Sequence, residues 1–292
     1  MTKTTFTFGS LALALLPLVG CGLSEGPIQG LGGGAYTPSE VTLIVSNTAG
    51  GGAESEGTGG DSGGAAAVAG FGVLKGKVVI DGAAPTLNML LAKGAATKDA
   101  VCSINGVPDE SVVSAGGGLG NVFVYLKKVP KGVAVPPLPT EKIIFDQKGC
   151  FFVPHAFVAH VGQPINITNN DPVAHNVHTF SNNRALNSAI QGNDTKGMEM
   201  AYDKAEGLPI KTVCDFHAWM DSYHLVVDHP WATLTAPDGT FEIKGVPAGK
   251  MEFVVWHEKV GYVERSLKVD IVPDQTTEAN GLKVAADKLV KK

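Results

Sequence analysis

Cys214-Asp-Phe-His217-Ala-Trp-Met220, preceded upstream by Asn170-Asp-Pro-Val-Ala-His175-Asn176-Val, decides how this chain is read. Residues 210–213 have the pattern of a strand entering a tight loop, and residues 223–227 that of the strand leaving it. A loop between two paired strands keeps Cys214, His217 and Met220 close together, whereas His175 has to reach them from a neighbouring strand. One thiolate, two imidazoles and a weak thioether form a donor set suited to copper cycling between Cu(I) and Cu(II). His178 is the rival to His175, because residues three apart on a strand face opposite sides. If both turned inward, Cys214, His175, His178 and His217 would make a tetrahedral set suited to zinc.

The chain has 292 residues, 44% hydrophobic and 17% charged, enough for two modest domains. Lys3 is followed by an apolar run at 6–19 and then Leu18-Val-Gly-Cys21; the run is short for a membrane span. Residues 1–21 resemble a bacterial lipoprotein signal with its lipobox. The resemblance implies lipidation of Cys21 and, because Gly22 stands where Asp would signal inner-membrane retention, an outer-membrane address on the periplasmic or cell-surface face. An ordinary secretory signal with an incidental cysteine is the other reading. Residues 22–70 are rich in Gly, Ala and Ser and cannot bury enough apolar surface to offset their ordering entropy. They are expected to be a disordered tether, with one stray strand at 41–45 and a coil reach of about 40 Å. The tether carries Glu25, Glu40, Glu54, Glu56 and Asp61 and no Lys or Arg. The formal net charge of −5 therefore falls mostly on it, the remainder is near neutral, and nucleic acid is excluded as an expected partner.

The four cysteines are Cys21, Cys102, Cys150 and Cys214. In an oxidising compartment, lipid on Cys21 leaves an odd number. A Cys102–Cys150 disulfide with Cys214 left to metal accounts for all of them; a disulfide from Cys214 to either of the others would orphan a different one.

Beyond residue 70 the pattern is all-β. Residues 73–80 and 121–126 are strand-like, and Pro136-Pro-Leu-Pro139 and Asp238-Gly239 mark turns. Two short stretches, 87–93 and 194–206, are candidates for helix. Residues 71–82 and 121–129, with Asp238-Gly-Thr-Phe-Glu-Ile-Lys-Gly-Val-Pro247-Ala-Gly249 and the apolar run to Trp256, resemble a transthyretin-like, carboxypeptidase-regulatory β-sandwich. Residues 141–228 resemble a cupredoxin, a Greek-key β-sandwich of the plastocyanin and amicyanin kind. That likeness runs through Ile143-Ile-Phe-Asp, Phe152-Val-Pro-His, Val161-Gly-Gln-Pro-Ile-Asn-Ile-Thr-Asn-Asn-Asp, His175-Asn-Val and the short Cys-x-x-His-x-x-Met loop. It departs from the family at Asp215, Phe216 and Ala218, where prolines often stiffen the loop, and in an insertion at 182–208. The cupredoxin resemblance implies one type 1 copper held by His175, Cys214, His217 and Met220, with the Asn176 amide holding the cysteine loop. The expected layout is a transthyretin-like sandwich of residues 71–140 and 229–287 with the copper domain, 141–228, inserted into it.

Phe216 and Trp219 flank His217, either as an apolar collar through which a redox partner approaches the imidazole edge or as packing for the loop. His155, His160, His224 and His229 are expected to be structural, and Trp256-His-Glu258 to combine a core Trp with a solvated His-Glu pair. There is no His-x-His or His-Cys-His, as a multicopper oxidase needs, no Cys-x-x-x-Cys for a dinuclear copper centre and no Cys-x-x-Cys-His for covalent haem. Four protein donors leave no position for substrate. The expectation is therefore a non-enzymatic, lipid-anchored carrier that exchanges single electrons with a protein partner such as a cytochrome or dehydrogenase. Two rivals stand beside it: a structural or binding lipoprotein that works through the transthyretin-like sandwich, and a copper or zinc carrier whose metal is cargo.

Overall fold

A computed structural model of the chain describes residues 70–290. The signal segment, Cys21, nearly all of the tether and the strand expected at 41–45 lie outside the described residues. Among the described residues the fold is all-β: helix is confined to a 3-10 turn at Ala100–Ser103 and one turn, α1, at Ala286–Leu289.

The strands sort into two pairs of sheets. The outer pair is formed by β1 (Phe71–Asp81) and β2 (Phe123–Leu126), joined late in the chain by β12 (Ala232–Leu234), β13 (Thr240–Pro247), β14 (Gly249–His257), β15 (Gly261–Ile271) and β16 (Thr276–Ala285). Its sheets run β13-β1-β16 and β12-β2-β14-β15. The inner pair comprises β3 (Ile143–Gln147), β4 (Phe152–Val153), β5 (Ala156–His160), β6 (Ile165–Ile167), β7 (His175–Thr179), β8 (Leu186–Ile190), β9 (Met198–Met200), β10 (Ile210–Val213) and β11 (Asp221–Val227). These run β4-β3-β6-β9 and β5-β11-β10-β7-β8.

Period-2 alternation assigns side chains to layers. From β2, Val124 and Leu126 enter the outer core with Leu74, Trp231 and Phe253, while Phe123 and Tyr125 point the other way. These two meet Leu225, Val227 and Val254 in a separate apolar seam, so strands of the two sandwiches pack face to face. The Tyr125 hydroxyl donates across the seam to the Gly207 carbonyl at 2.9 Å. The turn at Asp238-Gly239 is locked against β1. Gly239 has φ +83°, the Val78 N–H donates to its carbonyl at 2.9 Å, and a Cβ there would meet the Val78 carbonyl oxygen at 2.0 Å.

Neither helix candidate forms. Residues 87–93 are irregular, with Leu91 bridging Val107, and 194–206 contains β9, paired with β6. Gly197 explains the second case: at φ +72°, with the Ile167 carbonyl 2.3 Å from where a Cβ would lie, it turns the chain sharply into the strand. The long connection between β1 and β2 is the least legible part of the sequence. It precedes the boundary drawn at 141, yet Cys102 and Val107 are buried in the inner core with Phe145, Cys150 and Cys214.

The expected solvated His-Glu pair is also corrected. His257 is fully buried, and Glu258 is nearly so, paired with His155 at the junction of the two sandwiches. Burial raises the Glu258 pKa; at His155 burial acts downward, and hydrogen bonding to Glu258 with the surrounding carboxylate charges raises it. A buried pair of this kind adds little net stability, because desolvation offsets its attraction, but removing one partner would leave the other buried and unpaired.

Candidate metal centre

The loop from β10 to β11 closes on itself. The Cys214 N–H donates to the Met220 carbonyl at 3.1 Å and the Met220 N–H to the His217 carbonyl at 2.9 Å, while Val213 pairs with Asp221 at its base. Beside it, β7 pairs with β10 and carries His175. The outcome is a cluster in which His175 Nδ1 lies 2.9 Å from His217 Nδ1 and Cys214 Sγ lies 3.7 Å from His217 Nδ1. Among the described residues His175, Cys214 and His217 form one of the groups whose donor atoms all lie within 4.8 Å of one another. All three are buried, and Met220 is buried in the same core. Asn176 fastens the loop: its N–H points to Cys214 Sγ at 3.4 Å, its side-chain oxygen accepts from the Asp215 N–H at 2.6 Å, and its amide nitrogen donates to Asp215 and Asn187. His178 is not part of the cluster. It sits at the surface, its Nδ1 3.1 Å from Asp215 and its ring stacked on Phe180.

The remote nitrogens of both imidazoles are held by carboxylates. His175 Nε2 is 2.9 Å from Asp171, whose two oxygens also accept the N–H groups of Gly149 and Cys150. His217 Nε2 is 2.9 Å from Asp99. A proton on each Nε2 leaves each Nδ1 as a lone pair. Two imidazole lone pairs and a cysteine sulfur then converge in a buried space. A proton on His175 Nδ1 relieves them, and so does one cation placed where they meet. Burial pushes the His175 pKa down, but hydrogen bonds to Asp171 and Cys214 and their charges bring it up to about 9. Burial pushes the Cys214 thiol up, and His175 with the N–H groups of Asn176, Phe216 and His217 more than reverses this, so its pKa is lowered. At His217 burial lowers the pKa, aided by the charge of His175 and opposed by Asp99. The donor set fits a soft or borderline metal: a thiolate, two imidazole nitrogens and a buried thioether suit copper, and hard oxygen-seeking cations would find no oxygen ligand among these four.

Cys102 and Cys150 are joined by a disulfide, S–S 2.05 Å, and Cys214 is free. The disulfide lies behind both imidazoles: Cys150 donates its N–H to Asp171, and Cys102 Sγ is 3.8 Å from His217 Nε2. Phe216 is 48% exposed. Trp219 is half-buried, tilted against the His217 ring at 5.1 Å, with its indole N–H donating to the Cys150 carbonyl at 3.0 Å. No collar around an open imidazole edge results, because His217 is 2% exposed and Asp99 and Cys102 cover Nε2. Asp99 and Asp171 were not singled out by the sequence. Asp171, four residues before His175, had a local signal; Asp99, 118 positions from His217, had none. The remaining histidines lie away from the centre: His160 bonds Gln163, His224 bonds Tyr202, and His229 bonds the Leu126 carbonyl.

No family model matches the chain, and neither does any curated protein. Solved structures that match include a Cu(I) amicyanin variant at 17% identity, covering 29% of this chain and 80% of that one with a TM-score of 0.26. An oxidised amicyanin variant matches at 17% identity, covering 30% and 85%, TM-score 0.27. A purple cupredoxin from Nitrosopumilus maritimus matches at 24% identity, covering 29% and 97%, TM-score 0.24. The similarity is confined to less than a third of the chain.

Proposed function

We propose that this chain is a type 1 copper protein that passes single electrons to and from a protein redox partner outside the cytoplasm, held to a bacterial outer membrane by lipid on Cys21. The observation that carries the reading is the convergence of His175 Nδ1, His217 Nδ1 and Cys214 Sγ in a buried space beside Met220. His175, Cys214, His217 and Met220 would hold the ion, which supplies a one-electron couple when bound. Asn176 restrains the cysteine loop, Asp171 and Asp99 orient the imidazoles, and the packed surroundings keep water from the donors. With four protein donors there is no position for substrate, which favours transfer over turnover. The outer sandwich, transthyretin-like in its motifs, serves as the platform on which the donor domain is mounted. A tether such as 22–70 would raise the effective concentration of the centre near membrane-bound partners.

The decisive experiment is the visible spectrum of copper-loaded protein lacking residues 1–21. Intense thiolate-to-Cu(II) absorption is expected, and Cys214→Ser should abolish it while the fold is retained. A colourless Cu(II) complex, or colour that survives in the Cys214 variant, refutes the reading. Zinc is the second reading, favoured by the carboxylate behind each imidazole, an arrangement common at zinc sites. Metal analysis of protein purified without added metal separates the two.

A further inference from the structure

We propose that Asp99 is a positioning residue of the metal centre, contributed by the connection between β1 and β2 and not by the strands that supply the donors. The inference rests on the reading of His217 as a ligand. Three observations carry it. The Asp99 carboxylate is 2.9 Å from His217 Nε2 and lies between the ring and solvent, with the imidazole 2% and the carboxylate side chain 25% exposed. Its backbone is fixed by the 3-10 turn, where the Cys102 N–H donates to the Asp99 carbonyl at 2.9 Å and Ser103 Oγ donates to the Ala100 carbonyl at 3.0 Å. That turn is in turn bonded covalently to the inner sandwich through Cys102 and Cys150. The His217 ring therefore has Asp99 at its edge, Cys102 Sγ 3.8 Å from the same nitrogen and Trp219 tilted against it at 5.1 Å.

The chemistry follows from the hydrogen bond. A carboxylate accepting the Nε2 proton fixes the tautomer whose Nδ1 lone pair points at Cys214 and His175, and its negative charge makes that nitrogen a stronger donor. A stronger donor stabilises the more highly charged state of the ion, so Asp99 is expected to lower the reduction potential. Asp171 acts on His175 in the same sense, but it belongs to the donor domain itself. Asp99 makes the tuning of the centre depend on a connection that precedes all the strands of the inner sheets.

Two measurements test the assignment. In the metal-free protein, nitrogen NMR of His217 should show the proton on Nε2 in the wild type; a proton on Nδ1 overturns the proposal whatever the metal proves to be. In the copper-loaded protein, an optical redox titration should show the Cu(I) to Cu(II) ratio at fixed potential rising about tenfold in Asp99→Asn, which is 59 mV for a one-electron couple. Asp99→Glu should restore most of the wild-type ratio. A purely structural role would lower the melting temperature of Asp99→Asn and leave the potential where it was, and that result also overturns the proposal. If the wild type forms no coloured Cu(II) species, the electron-transfer reading fails while the NMR measurement still decides the role of Asp99.

Discussion

Acidifying the protein should destabilise it through His224 before its surface carboxylates are protonated. His224 is buried in the inner core, stacked on Phe157 with ring centroids 4.9 Å apart, its Nε2 2.8 Å from the Tyr202 hydroxyl. Burial, only partly opposed by the charge of Glu206, drives its pKa from 6.5 down to about 3. Between those two values the unfolded chain binds a proton that the folded chain refuses, so stability falls as pH falls. The full contribution is present above the unfolded value and is lost progressively below it. The raised pKa of His175 acts in the opposite sense, adding stability as pH falls through 6.5, and is common to the wild type and His224→Leu. Integrating the difference gives a loss of about 2 kcal/mol at pH 5 and about 3 kcal/mol at pH 4, a sizeable share of the 5–15 kcal/mol typical of a folded domain. Urea titrations of metal-free protein at pH 7, 5 and 4, on the wild type and His224→Leu, measure it. The variant should be weaker at pH 7, since the Tyr202 hydroxyl loses its partner, yet its stability should fall less steeply with acid. His257, held near 4 chiefly by burial, steepens both profiles and cancels in the comparison. Parallel pH profiles would refute the reasoning.

Three further outcomes are expected. Because His175 keeps its proton up to about 9, loading a divalent ion at pH 7 should release at least one proton, and fewer above pH 9; calorimetry in buffers of different ionisation enthalpy reads this directly, and a proton count independent of pH contradicts it. Replacing both Cys102 and Cys150 by Ala opens a crosslink with a sequence separation of 48 and should cost up to about 4 kcal/mol by chain entropy; an unchanged melting temperature would show that the connection between β1 and β2 is held by packing alone. Met220→Leu should keep the colour of the copper-loaded protein and raise its potential, since a thioether gives way to a group without a lone pair; an unchanged potential removes Met220 from the donor set.

The loop holding Cys214, His217 and Met220 was legible because its chemistry is local: the three lie on one short connection, and the strands on either side, β10 and β11, carry β-branched and aromatic residues such as Ile210, Val213, Tyr223, Val226 and Val227. The separation of β1, β2, β13 and β14 from the inner strands was legible too, through the Asp238-Gly239 turn and the apolar pattern of 251–255. What escaped was long-range. Asp99 reaches His217 only because the connection after β1 folds onto the inner core, and no periodicity announces that. The seam formed by Phe123, Tyr125, Leu225 and Val227 was hidden for a different reason: strands buried on both faces look the same whether the second face meets solvent-excluding loops or another sandwich. Glu258 was misread because a His-Glu pair at a strand end is usually wet, and its partner His155 lies in another sandwich.

The pairing of β1 imposes an order of assembly on the chain. Both of its neighbours, the antiparallel β13 and the parallel β16, are encoded after every strand of the inner sheets. While the chain emerges N-terminus first, β1 waits with two open edges, and such edges invite pairing with other chains. The strands β3 to β11 find all their sheet partners among themselves, so their sheets can close before the C-terminal strands arrive, although the seam with Val254 and the His155–Glu258 pair must wait. His175, Cys214 and His217 are then expected to come together before the surrounding framework is complete, with β16 added late beside a strand that precedes the inner sheets in the chain. Truncations near the C-terminus should therefore harm solubility before they disturb the cluster of His175, Cys214 and His217.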